Sequence, residues 1–313
     1  MFKKKQNKSI AVPVKKKKMT KTRIAFILFA CLPPVIDWLI HYVYANAASF
    51  GLAFTGSKGQ FSLENFVRLW EELKTPDSSI MVAIRNTLIT FGLDLLTFPL
   101  YPLISYFIYK KIPGASLYRV LFFLPRIIFS VALAFIVTRI LGVNGFVAEA
   151  VQNLFHLDSR PELLADSRYA NATVLLHMLW MGFPGDLIIW GGAFARIPVE
   201  LLESGRIDGT NWWKEFTHII VPLMWPTIAL KMVLSFARIF SSSAQVFLLT
   251  GGEFGTMTLQ SWMYIELLSG SGSPNPHAFN YMSAVGLCMT VIAVALSLIT
   301  RNITDKVFDE VEY

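Results

Sequence analysis

The chain has 313 residues, 54% of them apolar, 14% aromatic and only 16% charged, with a formal net charge of +7. A soluble domain carries about 25% charged residues, so this chain lacks the polar atoms to clothe a water-facing surface, in keeping with its mean hydropathy of +0.51. Abundant aromatics exclude disorder, and two cysteines, Cys31 and Cys288 in separate apolar runs, exclude a disulfide scaffold and leave the redox compartment open.

Residues 1–23 form a basic tail with nine lysines and Arg23. The apolar run at 24–54 is too long for a signal-peptide core and ends at no small-residue cleavage site, so it is expected to be a retained first transmembrane helix. An outer loop over 55–83 follows, and then a membrane core over 84–300. Within that core, apolar runs at 84–109, 117–141, 172–194, 223–250 and 279–299 each reach the roughly 20 residues that a spanning helix needs. Residues 301–313 complete the chain as a short tail. The expected fold is therefore an all-α membrane protein of six transmembrane helices. Lysine and arginine concentrate in the tail, at Lys110, Lys111 and Arg119, at Arg196, Arg206 and Lys214, and at Arg301 and Lys306. The alternate segments hold only Lys58, Arg68, Lys74, Arg160 and Arg168. The positive-inside rule then predicts both termini cytoplasmic. The outer loops are too short for an inserted domain, although 142–157 has a helical apolar spacing and 269–276 reads as a Gly/Ser/Pro loop.

Catalytic and nucleotide-binding motifs are missing from the sequence, and the five histidines (41, 156, 177, 218, 277) lie in different segments without ligand spacing. No metal site and no enzyme activity are expected. Beside a first membrane span the lysine-rich tail suits anionic lipid headgroups rather than nucleic acid. Any nucleotide energy would have to come from another chain.

The most informative stretch is the cytoplasmic segment 197–222. Pro198 is placed to open a helix, and Glu200 favours its positive end. Glu203 and Arg206 lie on the turns that follow. Gly209 can adopt the left-handed backbone that ends a helix, Thr210 or Asn211 can cap a second one, and Pro222 sits where the fifth span begins. Two short helices around a glycine turn make a knob, with Leu201, Ile207, Trp212 and Phe216 available for burial. On composition alone it is either a docking element or a loop that covers the bundle.

Glu203-Ser204-Gly205, then Gly209, then Ile219-x-Val221-Pro222, with Arg206-Ile207-Asp208-Gly209 between, resembles the Glu-Ala-Ala signature loop of binding-protein-dependent ABC importer permeases of the carbohydrate-uptake branch (maltose-type, glycerol-phosphate-type and oligosaccharide permeases). Ser204 and Gly205 replace the two alanines, and both remain small. The likeness covers most of the chain. Phe61-Ser62-Leu63-Glu64-Asn65-Phe66 resembles the family's first outer loop, and Arg85-Asn86-Thr87-Leu88 the start of its core helices. Arg119 to Pro125 resembles its next span, and Leu248-Leu249-Thr250-Gly251-Gly252 its outer turn after the fifth helix. The resemblance implies a type I ABC importer permease fold in the bacterial inner membrane and a pseudo-symmetric pairing with a second permease subunit. It also implies a cytoplasmic ATPase dimer that holds the ATP and Mg, and an extracytoplasmic substrate-binding protein that delivers sugar. Glu200, Glu203, Ser204, Gly205, Asp208, Gly209 and Pro222 are the expected ATPase-docking residues.

Charges inside a span are costly and usually face a cavity or a partner. In the fifth span Lys231, Ser235, Arg238, Ser242 and Gln245 are spaced 4, 3, 4 and 3, one helix face. That stripe either lines a translocation path or packs against a paired permease. In the fourth span Trp180, Gly182, Asp186 and Trp190 mix aromatic, small and acidic groups suited to sugar rings and hydroxyls. Asp186 alternatively pairs with Arg238. Asp37 with His41, Asp94 and Arg126 read as structural or interfacial. An Arg238 without a committed counter-ion would favour an acidic substrate such as a uronate oligosaccharide or sugar phosphate. The competing function is an ion-coupled secondary transporter of a polar solute using Asp37, Asp94 and Asp186, for which the expected inverted repeats are not detected.

Overall fold

The computed structural model describes residues 20–241, 244–268 and 276–307. The lysines of the tail up to Lys18, Ser242, most of the 269–276 loop and the last six residues lie outside the described residues. The chain divides into two units at Gly51/Leu52.

The first unit is one apolar rod, α1 (Lys21–Trp38), a wide π turn (Leu39–Tyr44) and α2 (Ala45–Ala53), with Pro33 and Pro34 inside α1. Phe26, Phe29, Tyr42 and Tyr44 are all largely exposed, as suits a helix whose solvent is lipid. Asp37 and His41, one turn apart, pair with each other at 2.9 Å, so two polar side chains share one face.

In the second unit α3 (Glu64–Lys74) precedes α4 (Ser79–Thr97), which bends at Pro99 into α5 (Leu100–Tyr109). Next come α6 (Ala115–Ile127), α7 (Ser130–Leu141) and α8 (Phe146–Phe155). The long α9 (Ala170–Phe194) leads into α10 (Val199–Ile207) and α11 (Trp212–Lys214). A π turn (Glu215–Ile220) runs unbroken into α12 (Val221–Ala237), followed by α13 (Ala244–Thr250), α14 (Leu259–Leu268) and α15 (Pro276–Thr304). Among the described residues, six stretches are long and apolar enough to cross a membrane: Ala25–Ala53, Ser79–Tyr109, Ser130–Phe155, Ala170–Phe194, Trp212–Ala237 and His277–Thr304.

Two expected spans are broken. The run at 117–141 divides at Ile128, whose backbone is extended (φ −82°, ψ 136°). Pro125 weakens the last turn of α6 by removing a donor, and the β-branched Ile127 and Ile128 favour the extended form. The run at 223–250 divides after Ala237. Arg238 leaves helical geometry (φ −103°, ψ 12°) just before three serines, residues that bond neighbouring backbone and so compete with helix. The helix expected near 142–157 is present as α8.

Three apolar cores knit the second unit. One joins α5, α9, the 199–220 segment and α12 through Tyr106, Trp190, Phe194, Leu202, Phe216 and Ile220. A second joins α3, α4, α14 and α15 around Ile80, Trp262 and Tyr281, and a third joins α7, α9 and α13 around Val137, Val174 and Val246. Polar clamps add register. Buried Asn86 donates to the carbonyls of Gly255 and Met257 at 2.6 and 2.9 Å, and Thr87 accepts from the Leu259 N–H at 2.9 Å. The turn ahead of α14 needs them, because Gly251, Gly252 and Gly255 all have positive φ. Ahead of α9, outside the spans, the hydrogen-bonded Arg168 guanidinium holds the Asp166 carboxyl below the usual carboxylate range.

Candidate functional site

The knob between α9 and α12 follows its sequence closely. Pro198 precedes the first helical residue rather than occupying it, Glu200 sits in the first turn of α10, and Gly209 turns the chain at φ +72°. Thr210 Oγ1 donates to the Gly205 carbonyl at 2.7 Å, and Asn211 caps α11 by accepting the Lys214 N–H at 2.8 Å. Past α11 the helix widens instead of continuing regularly. Pro222 offers no N–H to the His218 carbonyl and its ring crowds that carbonyl, so a looser turn relieves both.

Burial in the knob departs from expectation. Leu202 and Phe216 are buried, but Ile207 is 86% exposed and Leu201, Trp212 and Trp213 are exposed as well. Leu202 and Gly205, three apart, face inward, which turns Leu201 and Ile207 outward. Gly205 is buried, and a Cβ there would meet Ile219 Cδ1 at 2.7 Å. Its smallness serves the knob's own packing, which corrects its assignment to a partner-facing surface. Glu200, Glu203, Ser204, Asp208 and Gly209 are exposed around the protruding Ile207, while Pro222 is part-buried in the first turn of α12.

A buried carboxylate that the sequence did not single out ties the knob to the bundle. Glu215, with its side chain 3% exposed, forms an ion pair with Lys110 at 2.7 Å and accepts the Tyr106 hydroxyl at 3.2 Å. Nothing in sequence periodicity joins positions more than a hundred residues apart.

Among the spans lies a cavity of about 570 Å³. Thr90, Asp94 and Tyr101 reach it from α4 and α5, Gly182 and Asp186 from α9, and Lys231, Ser235, Arg238 and Gln245 from α12 and the segment beyond. The polar stripe therefore reaches one cavity although its helix is interrupted. Ser242 lies outside the described residues. Asp186 pairs with Lys231, not with Arg238. Asp94, expected to be structural or interfacial, accepts a hydrogen bond from Ser235 at 2.9 Å on the cavity wall. Its spacing from Thr90 and Tyr101, four and seven residues, is a shared-face signal available in the sequence. Among the described residues no ion pair involves Arg238. With two acids and two bases, the wall is balanced in formal charge.

The two tryptophans of α9 stand apart from this cavity. Trp190 is fully buried, edge-on to Phe98, and Trp180 packs against the α7–α9–α13 core beside His177. Neither lines the cavity. Arg126 approaches α9 so closely that a Cβ on Gly185 would come within 2.8 Å of its guanidinium. Among the described residues no His/Cys/Asp/Glu group is arranged to hold a metal ion.

The fold and the cavity define a multi-pass helical membrane component with a chamber of mixed polar and apolar lining and an exposed two-helix knob between two of its spans. Residues 100–309 match the model of the binding-protein-dependent transport system inner membrane component, and the chain belongs to that family. It is a multi-pass protein of the bacterial inner membrane. It is 27% identical over 294 residues to the maltose/maltodextrin transport system permease protein MalF of Vibrio vulnificus (strain YJ016), covering 87% of this chain and 54% of that one. It is 28% identical over 273 residues to the probable ABC transporter permease protein YesP of Bacillus subtilis (strain 168), covering 85% and 86%. The chain spans about half the length of the first of these relatives. A bacterial alginate ABC transporter, solved in complex with alginate pentasaccharide-bound periplasmic protein, has a chain that superposes with a TM-score of 0.75 at 24% identity, covering 92% of this chain and 96% of its own. That likeness establishes the fold.

Proposed function

We propose that the chain is the transmembrane permease subunit of an ATP-driven importer that moves a sugar or oligosaccharide delivered by an extracytoplasmic binding protein. The observation that carries this reading is the chamber itself. In a family member, it is a partly open cavity of about 570 Å³ among the spans, its apolar lining interrupted by Asp94, Asp186, Lys231, Ser235, Arg238 and Gln245. Its size is in the range of small-ligand sites, and its hydroxyl, amide and charged groups suit saccharide hydroxyls. The names of the MalF relative and the alginate transporter support a saccharide. Gly182, Asp186, Ser235, Arg238 and Gln245 are the path residues, joined by Asp94 and Lys231. Arg238, in no ion pair among the described residues, is the group that would hold the carboxylate of an acidic sugar.

The knob is the docking element for a cytoplasmic ATPase dimer, through Glu200, Glu203, Ser204, Asp208 and Gly209 around exposed Ile207. An exposed apolar residue ringed by acids and a turn fits a partner cleft better than water. ATP and Mg belong to that partner, a second permease completes the chamber, and both termini face the cytoplasm. The deciding experiment reconstitutes the chain with its second permease, ATPase and binding protein in proteoliposomes. It measures entry of radiolabelled maltotriose and of a uronate trisaccharide. Uptake that needs ATP supports the importer, whereas uptake driven by a proton or sodium gradient without the ATPase overturns it in favour of an ion-coupled transporter.

A further inference from the structure

The geometry points to Glu215 as a positioning residue that carries motion of the knob to the α4–α5 wall of the chamber. This inference rests on the importer reading and adds the route by which the force divides. Of the walls of the chamber, α9, bearing Gly182 and Asp186, runs directly into the start of the knob, and the two remaining walls differ in how they are joined to it. One, bearing Lys231 and Ser235, is α12, and it continues the knob covalently through the 215–220 turn. The other, bearing Thr90, Asp94 and Tyr101, belongs to α4 and α5 and has no short covalent link to the knob.

Two kinds of contact bridge that gap. The first is apolar and aromatic: Tyr106 against Phe216 at 5.4 Å between ring centres, and Phe107 against Trp212 at 5.5 Å. Such contacts are non-directional and tolerate sliding. The second is Glu215, whose carboxylate holds Lys110 at 2.7 Å and the Tyr106 hydroxyl at 3.2 Å. A charge-assisted pair with a second hydrogen bond fixes both distance and direction. Burying a carboxylate for stability alone is a poor choice, since an apolar side chain of similar volume commonly serves as well. What the ion pair supplies, and an apolar contact lacks, is a fixed register between the knob and the end of α5. Lys110 remains about a quarter exposed, so the pair sits at the edge of the bundle, where it can be loaded without first being exposed.

The test reads chamber access in the assembled complex and needs no identified solute. In a Cys31→Ser, Cys288→Ser background, Gln245→Cys reports from the chamber, and its rate of labelling by a water-soluble maleimide is measured in nanodiscs with and without ATP and vanadate. In the parent complex the rate is expected to change severalfold with nucleotide. Glu215→Gln should abolish that change while the ATPase still co-purifies in full yield. Lys110→Gln, at the more exposed end, should do the same, and the double variant should be no worse than either single one, the signature of a coupled pair. An intact nucleotide response in Glu215→Gln overturns the proposal and leaves the importer reading standing. Loss of the ATPase in both single variants also overturns it, because the pair would then serve docking. A parent complex with no nucleotide response removes the importer reading itself and this proposal with it.

Discussion

Arg238 and Lys231 sit two turns apart on one wall and have opposite consequences. Lys231 is committed to Asp186, with side-chain exposures of 24% and 13%, so Lys231→Ala strands a carboxylate in a largely enclosed site. Removing one partner of a buried pair costs about 3 kcal/mol or somewhat less where solvent reaches it, and the expected result is lower complex yield and earlier thermal unfolding. Arg238 has no such commitment among the described residues. Arg238→Ala should leave yield and melting unchanged while uptake of a solute it contacts falls about tenfold or more, the scale of a lost hydrogen bond to a charged group. Flux in proteoliposomes beside a melting curve separates the two, and normal flux would remove Arg238 from the path.

Two elements depend on a few fixed contacts. The turn ahead of α14 hangs on Asn86, which is 1% exposed and donates to two carbonyls. Asn86→Ala leaves both acceptors without that donor, and destabilisation of about 1–3 kcal/mol is expected, seen as faster hydrogen exchange over 251–259. The knob depends on its glycine turn and caps for shape and on its exposed acids for its partner. Glu203→Lys should release the ATPase in pull-down while leaving the fold unchanged, since the Glu203 side chain is exposed. Retention of the ATPase would assign docking elsewhere on the knob.

At the scale of the molecule, the positive-inside argument predicts one orientation. A cysteine at Asp208, in a chain freed of Cys31 and Cys288, should react with an impermeant maleimide only when the cytoplasmic face is open, as in inverted vesicles. One at Lys58 should react in intact cells. The reverse pattern would invert the topology and detach the knob from any cytoplasmic motor.

Six apolar runs, the glycine turn at Gly209, a cap at Thr210 or Asn211 and the acids of the knob are all legible in the sequence, because they depend on spacing, local propensity and the length needed to cross lipid. The outward face of Ile207 and the inward face of Gly205 are not, since a nine-residue helix offers two possible faces and only the packing of Ile219 and Phe216 chooses between them. Asp186 had two cations to choose from on one sequence stripe, Lys231 and Arg238, and in the fold it pairs with Lys231. Trp190 has the composition of a sugar-stacking residue and the position of a core one. Glu215 meets Lys110 across more than a hundred residues, a distance that no period spans. Local chemistry therefore determined the elements and the family. Which polar groups face the chamber and which lock the knob to it was decided by long-range packing, where the cost of a buried charge selects one partner among several that the sequence allows.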